Sequence, residues 1–145
     1  MSRVRRMTLE DLAQVVKLEE ATFSLPWSVK GFEEALAREE NCFLVIQDED
    51  EILGYCGYYK VFEEAEIMNV CIREDRRGEG LGRIMMEELL NTAKETGVKT
   101  VVLEVRVSNA PAIRLYENLN FVSLGVRKDF YEMPREDAEI MQCTL

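Results

Sequence analysis

Residues 76–82 read Arg-Arg-Gly-Glu-Gly-Leu-Gly, three glycines within five positions behind two adjacent arginines. Glycine at that density weakens regular structure, yet a helical apolar pattern, Leu81, Ile84, Met85, Leu89 and Leu90, begins at the same point. The N-terminus of a helix carries unpaired backbone N–H groups and a partial positive charge, which together attract phosphate. Gly78, Gly80 and Gly82 place no Cβ in the path of an approaching anion, and Arg76, Arg77 and Arg83 add positive charge. The stretch reads as a pyrophosphate cradle, with a plain glycine-rich helix start as the alternative. A P-loop is excluded because no Lys-Ser/Thr pair follows, and the spacing does not give the G-x-G-x-x-G of a dinucleotide fold.

Other chemistry is bounded by an absence. The chain of 145 residues contains no histidine, which removes Ser-His-Asp triads, Cys-His dyads and His-ligated zinc sites. Acid–base work falls to Asp, Glu, Tyr, Lys, Cys or water. Cys42, Cys56, Cys71 and Cys143 form no CxxC pair and read as reduced, buried thiols. Cys71 has no evident activating neighbour, so covalent catalysis through its sulfur is not expected. Eighteen basic residues against 28 acidic ones give a net charge of −10. That balance argues against a nucleic-acid binder and suits a basic protein or amine partner, or simply keeps the protein soluble.

The elements that must position such groups follow from periodicity. With 47% hydrophobic residues and no Pro/Gly/Ser linker or repeat, residues 1–145 are expected to form one domain. Residues 3–7 suit a short strand. Thr8 with Asp11 resembles a capping box that opens a helix to about Glu20, striped by Leu9, Leu12, Val15 and Val16. Ser28 caps a second helix carrying Phe32, Ala35 and Leu36. Residues 42–47 and 52–62 flank the acidic turn Asp-Glu-Asp-Glu as a hairpin, and 65–72 form a third strand. A helix over 80–96 closes at Gly97. Strands over 100–107, 121–128 and 138–144 surround a helix in Ala-Pro-Ala-Ile-Arg-Leu-Tyr-Glu-Asn-Leu. The order is βααβββαβαββ, a mixed α/β sheet. The longest apolar run, Phe43–Ile46, is far too short for a membrane span, and the first ten residues lack a signal peptide's apolar stretch, so a cytoplasmic location without membrane contact is expected.

Read with its surroundings, Arg77-Gly78-Glu79-Gly80-Leu81-Gly82 resembles the Arg/Gln-x-x-Gly-x-Gly/Ala signature of the GCN5-related N-acetyltransferases, as do the preceding Met68-Asn69-Val70-Cys71-Ile72 strand and the order of elements. Downstream, "LEVRVSNAPAIRLYENLNF" is similar to the LEVRxSNxxAxxLYxxxGF pattern of ribosomal-protein-alanine N-acetyltransferases of the RimI type. "FSLPWS" and "REDAEIM" match further segments of that type. The resemblance implies acetyl-CoA as co-substrate, with no metal. It implies that Val70, Cys71, Ile72, Arg77, Gly78, Glu79, Gly80, Leu81, Gly82 and Arg83 bind its pantetheine and pyrophosphate, and that Asn109 contacts CoA. The acceptor it implies is the N-terminal alanine of a basic protein, the eighteenth small-subunit ribosomal protein, its α-amine attacking directly in a ternary complex.

The same resemblance assigns the chemistry. On the strand 100–107, Glu104 alternates with buried-face Val101, Leu103 and Val105, and pattern alone makes it a surface glutamate beside Arg106. The resemblance makes it the general base. Tyr116 by pattern is a core aromatic on the helix with Ala112, Ile113 and Leu119; the resemblance makes it the acid that protonates the departing thiolate. Asn109 is also suited to cap that helix before Pro111. Trp27 suits either core packing or the wall beside the acceptor, and Tyr131 falls at the family's second acceptor-side tyrosine. Two departures stand out: Asn120 replaces the glycine before Phe121, a left-handed position that asparagine tolerates, and Phe130 replaces the first of a tyrosine pair. Outside this assignment lie an acetyltransferase for lysine or small-molecule amines and a CoA-binding module without turnover.

Overall fold

The amphipathic periods translate into helices on both faces of one sheet. A computed structural model describes residues 2–145. In chain order the elements are β1 (Ser2–Arg6), α1 (Leu12–Thr22), α2 (Val29–Leu36), β2 (Cys42–Asp48), β3 (Glu51–Val61), β4 (Glu64–Ile72), α3 (Leu81–Glu95), β5 (Thr100–Arg106), α4 (Ala110–Asn118), β6 (Val122–Glu132) and β7 (Arg135–Thr144). That is the expected βααβββαβαββ order, with short 3₁₀ turns at Leu9–Asp11 and Glu74–Arg76 added.

Local signals act as read. The Thr8 N–H donates to Asp11 Oδ2 at 2.7 Å, although the box opens the 3₁₀ turn rather than α1 itself. Ser28 Oγ accepts from the Gly31 N–H at 3.1 Å and caps α2. Gly97 follows α3 with φ +89°, and Asn120 takes φ +70° after α4. Two expectations need correction. Leu9 is 61% exposed and not part of the core stripe, because it lies in the turn before α1 starts. The last two strands are longer than their apolar runs and meet in a hairpin at Met133–Pro134. Almost every residue of β6 is exposed, so no buried face imprints an alternation on the sequence.

The strand order is β1-β2-β3-β4-β5-β7-β6. Every pairing is antiparallel except that of β4 with β5, which is parallel and covers only Glu64↔Thr100, Ala65↔Val101 and Glu66↔Val102. Beyond these three pairs the strands part. In the same region β4 slips register against β3: Ile67 pairs with Tyr58 and Asn69 with Gly57, leaving Met68 as a bulge. The bulge reverses the alternation. Ala65 and Ile67 join the core beneath α3 and α4, with Met85, Leu89, Leu103 and Tyr116. Cys71 joins the core beneath α1 and α2, with Val15, Phe32, Phe43 and Tyr55, and Asn69 turns to the same side to reach Glu19 of α1.

Candidate active site

Where β4 and β5 part, a cleft of about 630 Å³ opens. Its walls are Ile67, Met68, Asn69 and Val70 of β4, Leu103, Glu104, Val105 and Arg106 of β5, the α1–α2 segment from Thr22 to Trp27, and the β6–β7 tip from Phe130 to Pro134, with Asn109 and Tyr116 at α4. The split lets one cavity be lined from both faces of the sheet. Leu103 and Val105 belong to the α3/α4 core, so alternation sends Glu104 to the opposite face. Tyr116 reaches the same cleft from the α3/α4 side. Glu104 and Tyr116, far apart by periodicity alone, are thus brought together.

The two groups sit in different electrostatic surroundings. Partial burial, and secondarily the nearby Glu66, push the Glu104 carboxyl above the usual glutamate range, with Arg127 opposing. Tyr116 is 6% exposed, and its ring packs on Phe121 with centroids 5.8 Å apart. Burial raises its phenol well above the ordinary tyrosine value, with Cys56 and Tyr131 adding to the effect. Its hydroxyl has no hydrogen-bond partner among the described residues, where the only buried side-chain polar atom left unpartnered is Asn69 Oδ1. The Tyr116 oxygen therefore opens into the cleft. Tyr131 is half-buried and its phenol is pushed up to about 12, chiefly by burial.

The glycine segment lies beside the end of β4. Gly78 and Gly80 have φ of +82° and +80°, conformations that side chains rarely adopt, and nothing lies within 4 Å of where their Cβ atoms would be. Gly80 is the N-cap of α3, and no side chain caps that end. The first N–H groups of the helix are therefore turned to open space. Gly82 differs in having neighbours: a Cβ there would stand at ordinary contact distance, 3.4 Å from Leu115 and 3.8 Å from Ile72. The arginines divide as well. Arg76 pairs with Glu79 at 3.0 Å and Arg83 with Glu87 at 2.8 Å, which neutralises charge counted above toward the cradle. Arg77 makes no ion pair among the described residues, and its Nε donates to Ile72 O at 3.0 Å. Leu81 is buried in the core.

The remaining predicted positions fall as follows. Val70 lines the cleft, whereas Cys71 and Ile72 do not. Cys71 is buried against Thr22, Sγ to Oγ1 3.2 Å, and burial pushes its thiol up, which does not favour a nucleophilic thiolate. Asn109 Oδ1 accepts from the Ala112 N–H at 3.3 Å as the α4 cap while lining the cleft. Trp27 packs on Phe32, Tyr59 and Phe43 at centroid distances of 5.2, 5.9 and 6.1 Å and still borders the cleft.

Sequence comparison now bears on this arrangement. Residues 12–121 match the family model described as the acetyltransferase (GNAT) family. The chain belongs to the GNAT acetyltransferase family. A protein of Escherichia coli K12 named [ribosomal protein bS18]-alanine N-acetyltransferase is 33% identical to this acetyltransferase, covering 97% of this chain and 96% of that one. A Bacillus subtilis protein bearing the same designation provisionally is 37% identical over 98% of this chain and 95% of its own. The crystal structure of the ribosomal-protein-S18-alanine N-acetyltransferase from Escherichia coli superimposes with a TM-score of 0.90 at 32% identity, covering 99% and 94% of the two chains.

The acetyltransferase's own residues fit acetyl-CoA. The open, uncapped α3 N-terminus suits a phosphate group, and β4 beyond Glu66 has no strand on its β5 side, leaving backbone N–H and C=O groups for an amide-bearing chain. Among the described residues no cluster of three His, Cys, Asp or Glu is placed to hold a metal ion. None of their helices is long and apolar enough to cross a membrane.

Sequence reasoning missed three polar residues of the cleft. Glu19 is 2% exposed; it accepts from the Tyr55 hydroxyl, from Asn69 Nδ2 at 3.2 Å and from the Trp27 N–H at 2.9 Å. An acid four residues after Val15, on the apolar face of α1, was the available signal. Asn69 required the bulge, which the sequence does not announce. Arg106 was read only as a neighbour of Glu104.

Proposed function

We propose that this acetyltransferase moves acetyl from acetyl-CoA to the N-terminal alanine of ribosomal protein bS18. The observation that carries the reading is the meeting of Glu104 and Tyr116 at one cleft beside an uncapped, glycine-opened helix N-terminus. The near full-length likeness to bacterial bS18-alanine N-acetyltransferases supports the choice of acceptor.

Acetyl-CoA supplies an activated thioester when bound. An α-amine has a pKa near 8 and is largely protonated at neutral pH, so its attack requires a base. Glu104 takes that proton, and partial burial raises its pKa toward that of the amine. Tyr116 keeps its proton at neutral pH because burial disfavours the phenolate, and it delivers that proton to the leaving sulfur. Arg77, Gly78 and Gly80 with the first turn of α3 hold the pyrophosphate, Val70 and its neighbours in β4 the pantetheine, and Asn109 the CoA chain. Trp27 and Tyr131 border the acceptor. The buried, protonated state of Cys71 supports direct attack by the amine over a covalent intermediate.

The test is mass spectrometry of a peptide panel incubated with acetyl-CoA. The bS18 N-terminal peptide should gain one acetyl group on its α-amine, and the same peptide blocked at its N-terminus should gain none. Acetylation of a blocked lysine peptide or a polyamine in preference to the alanine peptide overturns the acceptor assignment.

A further inference from the structure

Arg106 lies two residues beyond Glu104 on the same face of β5, and it is bound on every side to the β6–β7 tip. Nη1 donates to Pro134 O at 2.9 Å and to Glu136 Oε1 at 3.1 Å, and Nη2 donates to Met133 O at 3.2 Å. The guanidinium carbon stands 4.2 Å from the centroid of the Tyr131 ring. The second Glu136 oxygen accepts from the Ser108 N–H at 2.8 Å, tying the counter-ion to the end of the same strand.

Within the hairpin the tip is paired as Tyr131↔Glu136 and Glu132↔Arg135, and the Asp129 N–H donates to Asp137 Oδ1 at 2.9 Å. The β6–β7 ladder loses register between Arg127 and Tyr131, and residues 127–130 and 132–135 are exposed. Across the cleft, the Ser24 hydroxyl donates to Met133 O, so the tip also touches the α1–α2 wall. A planar fork is the one side chain that can hold two carbonyls and a carboxylate while stacking on a ring. A lysine has the charge without the fork.

We propose that Arg106 is a positioning residue for the acceptor: it fixes the hairpin tip and Tyr131 at a set height over Glu104, and so defines the acceptor side of the cleft. This rests on the reading that the acceptor amine enters the cleft. Arg106 acts through the hairpin and takes no part in proton transfer.

The experiment measures Arg106→Gln and Arg106→Lys in the full chain by steady-state kinetics on the bS18 N-terminal peptide, with amide exchange across residues 129–136. Displacing the tip should raise KM for the peptide about tenfold in Arg106→Gln, leave KM for acetyl-CoA within about twofold, and speed exchange at the tip. Arg106→Lys should recover little of the loss. A merely structural role predicts a lowered melting temperature with both KM values unchanged or moved together, and that result overturns the proposal, as does unchanged exchange at the tip. If Arg106→Gln does not fold, Glu136→Gln, which removes only the counter-charge, carries the same comparison. A failure of the acceptor reading shows separately, as wild-type protein that acetylates no peptide, and exchange at the tip then decides for or against Arg106.

Discussion

Replacing Tyr116 with phenylalanine removes one oxygen and leaves the ring where it is. The hydroxyl makes no protein hydrogen bond among the described residues, so its loss strands no partner. The packing of the ring on Phe121 at 5.8 Å persists. Stability should therefore change by no more than about 0.5 kcal/mol. Turnover should fall roughly 10²–10⁴-fold, the usual range for deleting a general acid, or about 3–5 kcal/mol of barrier. Tyr116→Ala is the control, because it empties a site that is 6% exposed. An aromatic truncation of this kind costs about 3–5 kcal/mol, which lowers the melting temperature of a chain this size by about 10–15 °C. Initial rates by thiol release and thermal melts on both variants separate the two roles. Wild-type turnover in Tyr116→Phe would refute the assignment and transfer proton donation to water.

Four further outcomes are expected. Gly80→Asp should weaken acetyl-CoA binding far more than the isosteric Gly80→Asn, since only the former sets a negative charge at the open helix end; equal affinities by calorimetry would remove the anion from that place. Glu104→Gln should slow turnover with little change in acetyl-CoA affinity, and the defect should shrink as pH rises toward 9, where the amine is already deprotonated, whereas a pH-independent defect indicates a positional role. The same variant should melt higher than wild type at neutral pH: a carboxyl whose folded pKa is raised binds protons more tightly in the folded state, so its destabilising effect grows as pH rises from the unfolded value near 4.5 and vanishes below it. Glu19→Ala should cost roughly 3 kcal/mol or more, because the Tyr55 hydroxyl, Asn69 Nδ2 and the Trp27 N–H lose their acceptor together; a melting temperature within about 2 °C of wild type would contradict that network.

Much of this was legible in the residues, for identifiable reasons. Helix α3 and its glycine start, the Ser28 and Asn109 caps, and the alternation of β5 are local signals, each set by neighbours within a few positions. The placement of Glu104 on the outward face follows from period two alone. Its union with Tyr116 does not, because it depends on β4 and β5 separating after Glu66 and Val102. Pattern made Tyr116 a core aromatic, and its ring is one; the functional content lies in the hydroxyl, which periodicity does not see. The Arg76 and Arg83 charges looked available in the sequence and are matched by acids three and four residues on; the second pair follows from helix spacing, the first lies in the loop before α3. The β6–β7 tip was unreadable because its side chains face water.

The short ladder between β4 and β5 has a mechanical meaning. Three residue pairs, with the Lys99 and Thr100 N–H groups donating to Glu63 O at one end, make the backbone cohesion between β4 and β5, and the two walls of the cleft belong to the different halves of the sheet they join. The gap between them is consequently gauged by what is wedged underneath: Ala65, Met85 and Leu89 in the α3/α4 core act as spacers. A methylene added or removed there alters the jaw opening above without touching any residue that meets a substrate. Acceptor preference in this scaffold can thus drift through its interior, with every cleft residue unchanged.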